Sequence, residues 1–332
     1  MKEKKIEIFS SLRGIACLIV VCAHIIASSP YIGKYASGCG KIGVWCFMIM
    51  SGFLSIYPYI SGARDYKDYN LKSIGNYYLK KIGTLYPAFL VGLLLGMYTG
   101  LIPNLEVAVK HLLCIESVGH FWYMPVIIKF YILFPVFVLF YRFIKGNNMI
   151  YGVLIGTIAV IISVVFPFSK CPENSNLLRW YTPVFCMGMI LALIYNWTKD
   201  KISNKLIFDV LSLAFICGIW LFTPLGREYI FGIAPSGWLQ NKYLLMGALW
   251  SGIILCVLLS KYFKVVLIRC KMFAWLSVIS YEMYLIHYII LQKLNFILID
   301  MTLKTLLVVV ISLALSVVMH YLTVSAKRIV KL

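Results

Sequence analysis

Long apolar runs alternate with short polar segments along the whole chain, and this pattern dominates the reading. A helix needs about 20 apolar residues to cross roughly 30 Å of hydrocarbon. Ten segments meet that need, near 9–28, 42–60, 82–100, 121–143, 149–168, 177–197, 204–224, 240–260, 272–296 and 303–325. The weakest stretch, 100–120, suits a short interfacial helix. Residues 224–239 carry Pro224, Gly226, Gly232, Pro235 and Gly237 and read as a loop that can dip into the membrane. No internal repeat or low-complexity segment is visible. The expected fold is an all-α integral membrane protein: one polytopic bundle of about ten transmembrane helices. It forms a single domain over 1–332 with no appended soluble domain.

Composition strengthens this picture. The 332 residues are 62% hydrophobic and 13% charged, with mean hydropathy +0.90. Soluble domains carry nearer a quarter charged residues. The net charge of +19 raises the question of nucleic acid. However, the basic residues lie mainly between apolar segments, which is the footprint of membrane orientation. With the N-terminus inside, twenty lysines and arginines fall on inner segments and nine on outer ones. That bias favours both ends in the cytoplasm. Lys2, Lys4 and Lys5 precede an apolar run, as in a signal peptide, but Arg13 and His24 interrupt it.

The ten cysteines are scattered, with no CxxC pair to suggest a metal or redox motif. Cys39, Cys114 and Cys171 fall in expected outer loops, and the spacing leaves open whether any of them pair. No phosphate-cradling glycine loop or metal-ligand cluster is present, so no metal is expected.

Ionisable residues within spans carry the chemical interest, because burying them in hydrocarbon costs several kcal/mol each. They are Arg13, His24, Lys129, Glu282, His287 and His320. Arg13 and His24 are eleven residues apart, about three helical turns, so they share a face some 16 Å apart along the axis. A guanidinium near the inner surface suits phosphate. An imidazole deeper in suits proton transfer. A snorkelling arginine and a histidine bonded within the bundle explain the same pair. Ser280, Tyr284 and His287 fall on one face of the ninth span, which suits interhelical hydrogen bonding or a site. Glu282 projects elsewhere and needs a partner, for which Lys129 and Arg13 are candidates. Gly52, beside Ser51, permits close helix approach. Trp122 and Tyr123 suit interfacial anchoring. His111 and His120 read as solvated loop residues. Lys80 and Lys81, before Tyr86-Pro87, suit lipid headgroups or a nucleotide phosphate.

Taken in order, five motifs resemble those of the acyltransferase-3 family. They are Ser11-Leu12-Arg13-Gly14 followed by His24; Phe47 to Leu54, including Ser51-Gly52-Phe53; Lys80-Lys81 with Leu85-Tyr86-Pro87-Ala88; His120-Phe121-Trp122-Tyr123-Met124; and Ser280-Tyr281-Glu282-Met283-Tyr284-Leu285-Ile286-His287. The family comprises membrane-embedded O-acyltransferases, mostly bacterial. The resemblance implies acetyl-CoA as co-substrate and a cell-surface glycan or lipid-linked sugar as acceptor. It implies His24 as the essential base, Arg13 holding the donor, and a multi-pass location in the cell membrane among its lipids. One departure stands out. The family often carries a second arginine just before Tyr-Pro, where this chain has Gly83-Thr84, so donor contacts there fall to Lys80 or Lys81. A lipid or glycan transporter, or a non-catalytic scaffold, remains an alternative class.

Overall fold

The computed structural model describes residues 7–165, 178–234, 242–295, 297 and 300–329, with side chains described as far as Ser325. Cys171 lies outside the described residues. Among those residues there is no strand, only helices and one isolated bridge between Lys205 and Ser260.

The described residues form fourteen α-helices: α1 Ile8–Ala27, α2 Gly33–Ala36, α3 Gly40–Ile60, α4 Leu71–Tyr98, α5 Leu105–Leu112, α6 Tyr123–Phe143 after a 3₁₀ turn Gly119–Trp122, α7 Asn148–Val165, α8 Leu178–Ile202, α9 Leu206–Leu221, α10 Pro224–Phe231, α11 Tyr243–Leu259, α12 Phe263–Arg269, α13 Lys271–Asn295 and α14 Met301–Ile329. Among the described residues, eight are long and apolar enough to cross a membrane, or nine if the α9–α10 pair counts as one bent span, and α11 is a shorter apolar helix. Every apolar segment read from the sequence coincides with one of these helices.

The differences lie at helix ends. α4 starts at Leu71, a full eleven residues before its apolar stretch, because the Asn70 side chain accepts the Ser73 N–H at 3.1 Å. Lys72, Lys80 and Lys81 are therefore helical. Residues 224–231 form helix α10 rather than loop, bent 88° from α9. Pro224 sits in its first turn, the Thr223 hydroxyl accepts the Gly226 N–H at 3.1 Å, and left-handed Gly232 ends it. These are ordinary start and stop signals, legible once proline is taken as a helix opener. Pro235 and Gly237 lie outside the described residues.

The core is a group of helices in close contact. α1 packs on α13 and α3, and α3 packs in turn on α8. Small residues make this possible. A Cβ on Gly52 would lie 2.4 Å from the Phe185 carbonyl oxygen, and one on Gly188 would lie 2.2 Å from that of Ile49. Backbones that approach this closely gain the dispersion contacts on which helix association in lipid depends. α7 stays peripheral, burying only Tyr151 and Ile155. Its exposed face (Val153, Val160, Ile161, Val164) suits contact with lipid.

Two hydrogen-bonded anchors fix α12 and the turn that leads into it from α11. The Asp209 carboxylate accepts the N–H groups of Lys261, Tyr262 and Phe263 at 3.0, 3.1 and 2.7 Å. The Ser11 hydroxyl donates to the Leu267 carbonyl at 2.6 Å, tying α1 to α12.

Candidate active site

Two cavities flank α1 at opposite ends. Along its N-terminal half, a cavity of 350 Å³ is lined by Arg13, Ser51, Lys81, Tyr123, Tyr131, Ser280, Tyr281, Glu282, Tyr284 and His320. At its C-terminal end, a cavity of 480 Å³ is lined by His24, Ser28, Ser37, Gly38, Gly40, Lys41, His120, Trp122, Tyr284, Tyr288, Gln292 and Asn295. Tyr284 lines both. Both volumes lie in the range of small-ligand sites.

His24 is fixed by a relay. Its Nδ1 is 2.8 Å from Nε2 of His287, and Nδ1 of His287 is 2.9 Å from the Met283 carbonyl oxygen. A carbonyl oxygen only accepts, so Nδ1 of His287 donates. In neutral His287, Nε2 then carries the lone pair, and Nδ1 of His24 must donate to it. The hydrogen-bond network thereby leaves the lone pair of His24 on Nε2. His287 is fully buried, whereas His24 is half-buried and borders the larger cavity. This is the arrangement of a positioned general base: one nitrogen held, the other free for a proton.

Arg13 is exposed and borders the smaller cavity, beside Ser51 and Lys81. The two residues read as sharing one helix face thus serve two different cavities. Lys81 lies over the Tyr131 ring at 3.5 Å from its centroid, and the Tyr131 hydroxyl donates to Ser51 at 3.4 Å. Lys80 is exposed and lines a separate recess of 310 Å³ with Arg64, Asp68, Tyr69 and Tyr77. Adjacent lysines on a helix diverge by about 100°, which separates them.

Several expectations are corrected. Glu282 pairs with neither Lys129 nor Arg13. Its Oε1 accepts from Nδ1 of His320 at 2.9 Å, which only the packing of α14 on α13 brings into reach. Its Oε2 is buried without a partner. Lys129, half-buried on α6, lines neither cavity. His111 and His120 are not solvated: they are 0% and 4% exposed. Nδ1 of His111 donates to the Val107 carbonyl at 2.7 Å, and its Nε2 accepts the Val118 N–H at 2.8 Å. Burial pushes the His111 imidazole below its ordinary pKa. Nε2 of His120 donates to the Leu285 carbonyl at 3.0 Å, leaving its Nδ1 buried without a partner. Cys39 and Cys114 are both free thiols.

The ninth-span residues divide in the same way. The Ser280 hydroxyl turns back to Ser277 at 2.9 Å and the Tyr281 hydroxyl donates to the Leu85 carbonyl at 2.8 Å, so both brace the bundle. The Tyr284 hydroxyl donates to the His120 carbonyl. Trp122 stacks on Tyr181, with ring centroids 5.3 Å apart. His120, Tyr288, Gln292 and Asn295 were missed as lining residues. The last three continue the face of Tyr284 along α13 at helical spacing, a signal that the 3.6-residue period already contained.

The sequence model of the acyltransferase-3 family, described as an acyltransferase domain, matches residues 7–321. The chain belongs to the acyltransferase-3 family. This acyltransferase carries the family's match across its whole helical bundle, from the start of α1 to within α14. No curated protein and no solved structure matches the chain.

Proposed function

We propose that this membrane acyltransferase moves an acetyl group from acetyl-CoA to a hydroxyl of a cell-surface glycan, with His24 as general base. In this reading the N- and C-termini face the cytoplasm and the membrane is the bacterial plasma membrane. The smaller cavity then opens inward and the larger one outward. The observation that carries the reading is the relay that leaves Nε2 of His24 bare at the edge of a polar cavity.

The chemistry balances on these residues. The acceptor hydroxyl gives its proton to Nε2 of His24 as its oxygen bonds to the thioester carbonyl carbon. The tetrahedral adduct collapses, the carbon–sulfur bond breaks, and the imidazolium returns the proton to the departing thiolate. His287 holds the ring in the productive tautomer throughout. Arg13 and Lys81 supply positive charge for the anionic donor along the inner cavity, and Lys80 supplies it at the membrane surface. Tyr284 stands where the donor's acyl end meets the acceptor.

Mass spectrometry of surface glycans from cells with and without this chain tests the reading. The expected difference is one acetyl group on a defined sugar, absent when only His24→Ala is expressed. Normal acetylation by well-expressed His24→Ala removes the base assignment. Binding of acetyl-CoA by the purified protein, measured by calorimetry, tests the donor separately.

A further inference from the structure

The space in front of His24 has an unusual border. Gly40 opens α3, and a Cβ built on it would lie 3.2 Å from Nε2 of His24 and 3.4 Å from its Cε1. Nε2 is the atom to which the hydrogen-bond relay assigns the free lone pair. A methyl group at 3.2 Å is tighter than ordinary van der Waals contact, so the ring or the helix must shift by a few tenths of an ångström. The ring has little room to do so, because Nδ1 is pinned at 2.8 Å to His287. Gly38 and Gly119 also line this cavity, both at positive φ, so bare backbone from two stretches of chain, 38–40 and Gly119, borders the same space. The rings of Trp122 and Tyr288 line the same space, Tyr288 at 3.5 Å from where a Cβ on Gly119 would stand, together with Gln292 and Asn295. Bare backbone and aromatic faces lining one cavity, with polar Gln292 and Asn295, suit a saturated ring carrying several hydroxyls.

We propose that Gly40 is a specificity-determining position: its missing side chain is what lets a ring-borne hydroxyl reach Nε2 of His24 across the backbone of α3. This inference rests on the reading of His24 as the base, and it adds the route and the shape of the acceptor. A small alcohol or water needs little of that space, whereas a sugar ring needs all of it. The entrance passes the exposed Ser37, which lines the same cavity.

Two variants and two readouts test this. Gly40→Ala adds the single methyl beside Nε2. Ser37→Trp narrows the entrance from an exposed position where no buried side chain has to move. The first readout is the rate at which diethyl pyrocarbonate, whose carbonyl carbon an unprotonated imidazole nitrogen attacks, modifies His24 in the purified protein, followed by peptide mass spectrometry. The second is acetylation of surface glycan in cells at matched expression. Both variants are expected to slow labelling of His24, and Gly40→Ala is expected to lower glycan acetylation severalfold, because even a shift of a few tenths of an ångström misaligns the reacting atoms. Calorimetric binding of CoA is expected to stay unchanged. Labelling of His24 at the original rate in either folded variant, or normal acetylation by Gly40→Ala, overturns the proposal. Retained activity in His24→Ala instead overturns the base assignment, while the labelling comparison still reports on Gly40.

Discussion

Nδ1 of His24 and Nε2 of His287 stand 2.8 Å apart, joining α1 to α13 across 263 positions of sequence. That bond decides which nitrogen of His24 is free. His24→Ala is expected to lower acetyl transfer by about 10²–10⁴, the range for loss of a general base. His287→Ala leaves the proposed base present but unoriented and is expected to cost roughly tenfold or more. Because the two act as one unit, the double variant is expected to be no slower than His24→Ala alone. Rates at matched expression check this, and an additive double variant refutes the shared role.

Tyr284 lines both cavities and donates its hydroxyl to the His120 carbonyl. Tyr284→Phe keeps the ring, so the wall survives; the lost hydrogen bond is expected to cost about 1 kcal/mol of stability. Tyr284→Ala removes the wall and is expected to raise hydrolysis of acetyl-CoA in the absence of acceptor, since water then reaches the thioester. Thiol release by the purified protein measures it.

Gly188 faces α3 so closely that a Cβ would lie 2.2 Å from the Ile49 carbonyl oxygen. Gly188→Ala is expected to force α8 away from α3 at a cost of about 1–3 kcal/mol. The melting temperature in detergent falls accordingly, whereas Gly156→Ala, with open space around it, is expected to leave it nearly unchanged.

The Asp209 carboxylate holds three successive backbone N–H groups at the start of α12. Asp209→Ala removes hydrogen bonds to a charged carboxylate and is expected to cost about 1.5–3 kcal/mol. Faster proteolysis between α11 and α12 in the variant is the corresponding local readout.

His111 sets an acid dependence outside the spans. Its pKa in the fold lies below the ordinary 6.5 because burial disfavours the charged ring. Above 6.5 the imidazole is neutral whether the chain is folded or not, and stability is independent of pH through this group. Below 6.5 the unfolded chain takes up a proton that the fold refuses, so stability falls with pH until the folded value is passed. His111→Gln is expected to flatten the fall in melting temperature between pH 6.5 and acid, at some cost at neutral pH from the bonds to Val107 and Val118.

Much of this was legible in the chain alone, for a definite reason. In lipid every backbone polar group must be satisfied within its own helix, so runs of apolar residues leave little choice of structure. The order and place of the apolar helices, the close approach at Gly52 and the membership suggested by five ordered motifs all followed from local pattern. Partner identity did not. Glu282 found His320 rather than Lys129, and His111 and His120 are buried where loop polarity argued for solvent.

What the sequence determined was therefore each helix and the residues on each of its faces, because helical period is a property of neighbours in the chain. What only the tertiary structure decided was which faces meet: the imidazole of His24 against that of His287, the bare backbone of Gly40 beside Nε2, and Arg13 in a cavity separate from that of His24. Those relationships depend on helix pairing and rotation set by close packing of small residues, which no periodicity within a single helix encodes.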